Sequence, residues 1–556
     1  MFEKNLQALD NEALKRRLTK VDTLESRSGI TYLVTDSKDY IILKNDVPID
    51  DLKNPREAIK QHLNSSIKSE MKPNDIIITF GIGLGYLLDE VYNTYPSRIF
   101  VYEPDINLLH FVLNNVDISE HLSSGRVYIS NDLDELLNKL SSVYLTKDKV
   151  EIVYLQNYAF VKNKELLMLT QKVFDTCKSK LVDVSTIAKF SERWLINTLD
   201  NITAVNKNEC YLLSDLEDKF IGQTALILGA GPSLADNIDK IKANRGSFVI
   251  FAVNKVVRYL EENNIVPDFI VCLDAGNMET TLNASPEYLA RTNCIMDIRV
   301  DKTIFNKKFK KVFVSFSNAD TVIAKLAQTN SFIKTYEAGG TSTILATVAA
   351  VKMGFSKVVL AGIDLAFKDN IIYANGETID RISQDEIIVN SVKKNLVQVK
   401  SINGGTVYTR DDYQAFIHQF GEVIKSLEYE NIYSISDFGA EINGVKPVNF
   451  TSLNLMTPAN LQILDEIAPF KFKLDEFVQD EFIIINNIID LLSKDMFSPA
   501  LVSAIVKSVL IYQFMQADIL TILQNNFDQS VAEGFINKTK GAIKTVVDIL
   551  QKNQMV

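Results

Sequence analysis

The chain of 556 residues is 46% hydrophobic and 23% charged, enough apolar mass for several cores when a domain takes roughly 150 residues. A formal net charge of -11 argues against nucleic acid or an anionic membrane as the main partner, since both repel an acidic surface. Met1 to Lys20 is too charged for a signal peptide, and the apolar run Pro499 to Leu510 is broken by Lys507 and too short for a bilayer, so a cytoplasmic protein with no membrane span is expected.

Residues 1 to about 70 read as a small cap: a helix from Asn5 to Val21, short strands at Thr31–Thr35 and Tyr40–Leu43, and a helix from Asn54 to Ser69. Asp75 to Phe80 then reads as a strand running into Gly81-Ile82-Gly83-Leu84-Gly85, and the strand Arg98–Tyr102 ends in Glu103-Pro104-Asp105. A glycine turn with an acidic residue closing the next strand is the arrangement that holds a ribose hydroxyl in nucleotide and S-adenosylmethionine sites. Nothing acid-base or nucleophilic clusters behind it, so a packing turn on a nucleotide-type fold competes with a live cofactor site. Strands follow at Arg126–Ser130 and Val150–Tyr154, and a long helical stretch from Lys164 to about Val205 carries the one tryptophan, Trp194, expected as a buried anchor between domains rather than a ligand platform. The four cysteines, Cys177, Cys210, Cys272 and Cys294, are too scattered for a disulfide framework or a zinc site and are expected as free thiols.

A central block, 216–448, alternates strands and helices, which predicts a mainly parallel sheet covered on both faces. Strands are expected at Ala225–Leu228, Phe248–Val253, Phe269–Leu273, Cys294–Ile298, Lys311–Phe316 and Lys357–Ile363. The first runs into Gly229-Ala230-Gly231-Pro232-Ser233 and a helix, and free N–H groups at such a helix start attract phosphate. In such sheets ligands sit beyond the carboxyl ends of the strands, where Asn254, Asp274 and Asp364 fall, and Gly339-Gly340-Thr341-Ser342-Thr343 opens a second helix in the same block. Each has a bland alternative: Ser342 as a helix cap, Asp274 and Asp364 as turn caps, Asn254 as partner of a buried backbone group. After Asp364, the loop Phe367 to Gly376 carries Tyr373, a polar and helical insertion runs to about Lys400, and a helix with His418 follows Thr409-Arg410-Asp411-Asp412. From about 455 to 556 glycine becomes rare and helical apolar spacing dominates, predicting a helical bundle.

The stretches G-A-G-P-S-L (229–234), A-V-N-K (252–255), P-D-F-I-V-C-L-D-A-G (267–276), G-G-T-S-T (339–343) and A-G-I-D-L-A-F (361–367) resemble the motility associated factor (Maf) proteins, which transfer nonulosonic acids to flagellin. F-G-I-G-L-G-Y (80–86), Y-E-P-D (102–105) and the helical tail extend the resemblance over most of the chain. The block is also similar to bacterial sialyltransferases that use CMP-sialic acid. The fold thus implied is α/β throughout: a Rossmann-like N-terminal domain with cap and connector (1–210), a sialyltransferase-like central domain (216–448) and a C-terminal helical domain (455–556).

By that similarity Gly229, Gly231, Pro232 and Ser233 approach the phosphate or ribose, Asn254 holds the cytidine nucleotide, and Thr341 and Ser342 bind the sugar carboxylate or phosphate, with Asp274 and Asp364 at neighbouring strand ends. Tyr373 falls near a tyrosine that assists the departing phosphate. The partners implied are a CMP-nonulosonic acid donor and flagellin; no cofactor is required, Mg2+ stimulation being the one metal effect left open. The chain departs from the sialyltransferase pattern at the base, since Tyr408 to Asp412 holds no histidine. His418, Asp411 and Asp412 are the substitutes, and the sequence does not choose among them. Competing readings are an ATP- and magnesium-dependent hydroxymethylpterin pyrophosphokinase with Asp274 and Asp364 as metal ligands, an S-adenosylmethionine enzyme centred on Gly81 to Asp105, and a non-catalytic flagellin-binding protein.

Overall fold

The computed structural model describes residues 1–145, 147–337, 339–378, 396–453, 455, 459–494, 497–524 and 532–555. It divides into two compact units, Met1–Val184 and Ser185–Val556, with the division inside one helix, Asn163–Lys207. The fold is α/β, and both units are built on parallel sheets.

In the first unit an antiparallel sheet of β1 (Ile30–Val34), β2 (Tyr40–Lys44) and β3 (Val47–Pro48) forms the cap. The expected helix Asn5–Val21 is two, Phe2–Ala8 and Glu12–Leu18, because Asn11 turns its side chain onto the Leu14 N–H and starts the second. The parallel sheet contains β4 (Ile76–Phe80), β5 (Arg98–Tyr102), β6 (Val127–Ser130) and β7 (Val150–Tyr154) in the order β6-β5-β4-β7. All five residues of β4 are buried, as expected where helices cover both faces. Because β5 and β7 flank β4, the chain direction across the sheet reverses at β4, above the glycine turn.

The second unit carries a ten-stranded sheet. Its strands are β8 (Cys210–Leu212), β9 (Thr224–Leu228), β10 (Val249–Val253), β11 (Phe269–Cys272), β12 (Asn293–Asp297), β13 (Val312–Ser317), β14 (Thr335–Tyr336) and β15 (Lys357–Ala361), followed after a separate antiparallel hairpin, β16 (Val397–Lys400) and β17 (Thr406–Thr409), by β18 (Ile432–Ser434) and β19 (Lys446–Pro447). The order is β14-β13-β12-β11-β10-β9-β15-β18-β19, with β8 beside β13 and every pairing parallel. Strands β10 to β13 step away on one side of β9, while β15 lands on the other, so the switch point lies between β9 and β15. The short pairings of β8, β14, β16, β17 and β19 escape periodicity because each has only two to four residues.

β9 and β10 are buried along their whole length, and the Phe251 ring stacks on Phe269 of the next strand at 4.9 Å. Asn201, on the long helix, donates from one buried amide to the carbonyls of Ile298 and Val300, both at 2.7 Å, and so fixes the loop after β12. Trp194 of the same helix is half-buried rather than buried, and it packs on Phe190 and against the Arg299 guanidinium, both within the second unit. The C-terminal region is helical: Asp475–Leu492, Pro499–Lys507, Val509–Gln524 and Ala532–Lys552 share a hydrophobic cluster with one face of the sheet. Glu481, fully buried there, accepts from the Ser508 hydroxyl at 2.7 Å and lies 3.3 Å from Lys325 Nζ. Cys177 is half-buried, and the other three cysteines are buried free thiols.

Candidate functional site

The carboxyl edge of the large sheet gathers the strand ends singled out in the sequence. Three helices begin there: Ser233–Ala243 after β9, Ser342–Lys352 before β15, and Asp411–Ser426 before β18. The last two lead by short turns into the amino ends of parallel strands, so their own N-termini and partial positive charges lie at the carboxyl edge.

At the switch point the chain supplies its own anion. Ser233 N donates to Asp364 Oδ2 at 2.7 Å, its hydroxyl donates to Asp364 Oδ1, and that hydroxyl lies 2.8 Å from Ser436 Oγ. The phosphate expected at this helix start is therefore met by a carboxylate. Both residues are 1% exposed, and burial pushes the Asp364 carboxyl up to about 6 against the opposing pull of the two Ser233 bonds. A side chain on Gly231 would strike Asp364 Oδ2 at 2.6 Å, and one on Gly229 would strike the Gly362 carbonyl. These glycines let the loop after β15 close on the turn after β9, with Gly231 N donating to Gly362 O at 2.7 Å. Pro232 is the cap residue of the helix. β15 stops at Ala361, short of the expected Ile363, because Gly362 turns with φ +66 and Leu365 follows at φ 43.

One strand over, the arrangement is different. Asn254, 5% exposed, opens the turn Asn254–Val256 after β10, and its side-chain Nδ2 has no hydrogen-bond partner among the described residues. A buried donor left unpaired costs on the order of 1–3 kcal/mol, a cost that a ligand acceptor placed at this strand end would recover. Lys255 follows it, exposed, with Nζ 5.7 Å from the centre of the Tyr373 ring. The Tyr373 loop is pinned over the β9 end by Ala374 N, which donates to Ala230 O at 2.8 Å. Tyr413 meets Tyr373 through its hydroxyl; burial first, and then the neighbouring phenol, hold that hydroxyl well above its usual range. Arg410 lies over the Tyr413 ring at 4.3 Å and is forked onto Asp412, Nε to Oδ1 at 2.6 Å.

The remaining candidates are spread along the same edge. Asp274 is half-buried and its Oδ1 accepts from Gly276 N at 2.8 Å, the turn-capping alternative. Thr341, not Ser342, caps the second helix, accepting from Ile344 N at 3.3 Å; Ser342 is the first helical residue, and both are half-buried. His418 is exposed on the Asp411–Ser426 helix, whose buried face is Phe420, Gly421, Val423 and Ile424. The insertion expected before Lys400 lies largely at 379–395, outside the described residues, and resumes as the β16–β17 hairpin. Tyr413 has no signal in the sequence, whereas Lys255 stands directly after Asn254 at a strand end, a position that marks it without giving it a role.

The glycine turn of the first unit is filled from within. Glu103, fully buried, accepts from Ile82 N at 3.1 Å, Asp105 N at 2.9 Å and the Tyr158 hydroxyl at 2.6 Å. A side chain on Gly81 would meet the Tyr158 ring at 2.7 Å, and one on Gly83 would meet Asp50 Oδ2 at 2.9 Å. The carboxylate expected to hold a ribose is thus spent on the turn itself.

Comparison with known proteins places this fold. The family description "6-hydroxymethylpterin diphosphokinase MptE-like" matches residues 196–370. The solved structure of the MAf glycosyltransferase from Magnetospirillum magneticum AMB-1 shares the fold over 100% of this chain and 96% of its own, with a TM-score of 0.62 at 16% identity. An uncharacterized protein of Treponema pallidum (strain Nichols) is 31% identical over 93 residues, 16% of this chain and 42% of that relative, so the chain spans less than half of its length. The full-length match agrees with the Maf resemblance read from the motifs, and an MptE-like segment lies in the middle of the chain.

Proposed function

We propose that the second unit is a glycosyltransferase that moves a nonulosonic acid, of the pseudaminic or legionaminic type, from its CMP-activated donor to Ser or Thr hydroxyls of flagellin in the cytoplasm, a step needed for flagellar assembly and motility. The observation that carries it is Asn254, a buried amide donor with no partner among the described residues, beside the switch point of a fold shared with a MAf glycosyltransferase. Among the described residues no helix is long and apolar enough to cross a membrane.

In this reading Asn254 binds the nucleotide, Tyr373 donates to the departing phosphate, and the Thr341–Ser342 helix start faces the sugar carboxylate or phosphate. Gly229, Gly231, Pro232, Ser233 and Asp364 form the rigid floor, and Asp274 shapes the next strand end. His418 or Asp411 takes the acceptor proton. No cofactor is required, because the donor carries its own leaving group.

The match at 196–370 supports a second reading, the pyrophosphokinase using ATP and magnesium. Its expected metal ligands already accept hydrogen bonds within the chain, Asp274 Oδ1 from Gly276 N and Asp364 from Ser233, and among the described residues no three metal-binding side chains converge. The deciding experiment is the intact mass of flagellin coexpressed with this protein and a CMP-nonulosonate pathway. Whole-sugar increments should appear with wild type and vanish with Asn254→Ala. No increment with folded protein and confirmed donor would reject transfer, and stabilisation by ATP plus magnesium but not by CMP would favour the kinase.

A further inference from the structure

We propose that Lys255 is the cation that takes up the negative charge of the departing nucleotide phosphate, an inference that rests on the transferase reading. In that reaction the bond from the anomeric carbon to the donor's phosphate oxygen breaks, and its electron pair stays on the phosphate. A new bond forms between that carbon and the acceptor hydroxyl oxygen, whose proton passes to a base. The nucleotide therefore leaves with more negative charge than it brought, and a fixed cation beside it favours the transition state over the bound donor.

Among the described residues, three cations reach the loops around Tyr373. Arg410 is forked onto Asp412, and Lys368 is held by Asp236 at 2.7 Å, so a carboxylate already answers each charge. Lys255 has no carboxylate partner among the described residues, and its Nζ stands 5.7 Å from the Tyr373 ring centre. It also follows Asn254 in a single tight turn, so an amide donor without a hydrogen-bond partner and an ammonium without a carboxylate, both among the described residues, come from consecutive positions at the end of β10. An ammonium on a flexible stem is a point charge that can follow phosphate oxygens as the bond lengthens, which a guanidinium locked to Asp412 cannot do.

The test is calorimetric titration of wild type, Lys255→Ala and Lys255→Arg with CMP and with cytidine, followed by transfer kinetics. Lys255 is exposed, so the variants keep the fold, which equal melting temperatures without ligand would verify. Lys255→Ala should lose about tenfold in affinity for CMP and nothing for cytidine, with transfer down about a hundredfold and largely recovered in Lys255→Arg. An unchanged ratio of CMP to cytidine affinity in Lys255→Ala would overturn the role of Lys255 and leave the transferase reading standing. Failure of wild type to bind CMP at all would instead remove the transferase reading itself.

Discussion

The two units carry the same device, a strand, a glycine turn and a helix at the point where a parallel sheet reverses direction, yet they use it differently. In the first unit Glu103 and Tyr158 close the turn after β4, and Asp50 lies against Gly83 from the cap. In the second unit Asp364 closes the turn after β9, but the next strand end leaves Asn254 Nδ2 without a partner among the described residues. Glycine spacing therefore announces a close approach of backbone without saying what approaches. The occupant comes from residues far away in sequence.

The largest expected effect tests how rigid that closure is in each unit. Gly362 sits at φ +66, and a Cβ there would lie 2.7 Å from the Gly229 carbonyl oxygen and 2.8 Å from Leu234 Cβ, both parts of the packed switch point. Gly362→Ala should destabilise the second unit by about 4 kcal/mol or more, combining left-handed strain with overpacking. Gly83→Ala meets movable side chains, Asp50 and Leu155, and should cost about half as much. Denaturant unfolding of both variants measures the contrast; equal losses would mean that the two turns are closed with the same stiffness.

A second contrast is electrostatic. Burial pushes Asp50 up to about 7 and Glu103 up to about 7, from ordinary values of 3.8 and 4.5. Each therefore keeps its proton in the folded protein after the unfolded chain has released it. Stability from these groups is complete below about pH 4 and is lost as pH rises toward 7. Asp50 has both carboxylate oxygens without a partner among the described residues, so Asp50→Asn should add stability on the order of 3 kcal/mol at pH 8 and almost none at pH 4. Melting temperatures across that range decide it. A pH-independent difference would show that Asp50 does not titrate upon folding.

These outcomes bear on how far the fold was readable in advance. The long buried strands were legible because short apolar runs such as Ala225–Leu228 and Val249–Val253, bounded by turn residues, suit a strand buried on both faces, and β5 and β7 agree with expectation end to end. The glycine turns, Asn254 and the second helix start were legible from strand-end position. What fills the turns was not, because Asp364 reaches Ser233, and Tyr158 reaches Glu103, across long sequence separations that no local pattern records. The shift of the helix cap from Ser342 to Thr341 belongs to another class, since two adjacent hydroxyl residues suit that position almost equally.

Smaller effects separate the two closures further. Ser233→Ala removes the hydroxyl donated to Asp364 but keeps the backbone bond, so a loss of about 1–2 kcal/mol is expected. Losing a bond that favours the charged carboxylate should also move the Asp364 titration upward from about 6, as a pH series of the variant's stability would register.

The smallest expected effect is the most discriminating between the units. Tyr158→Phe deletes the hydroxyl that reaches Glu103 at 2.6 Å but keeps the ring against Gly81, so stability should fall by about 1 kcal/mol. The same ring still fills the turn, and Glu103 still holds the N–H groups of Ile82 and Asp105. Neither wild type nor this variant should therefore gain thermal stability from S-adenosylmethionine through this turn, while stabilisation by CMP should persist in Tyr158→Phe and disappear in Asn254→Ala. A clear S-adenosylmethionine shift in wild type would mean that Tyr158 and Glu103 yield to a ligand. The turn after β4 would then be a latent second site, and the difference between the two units would be one of affinity rather than of kind.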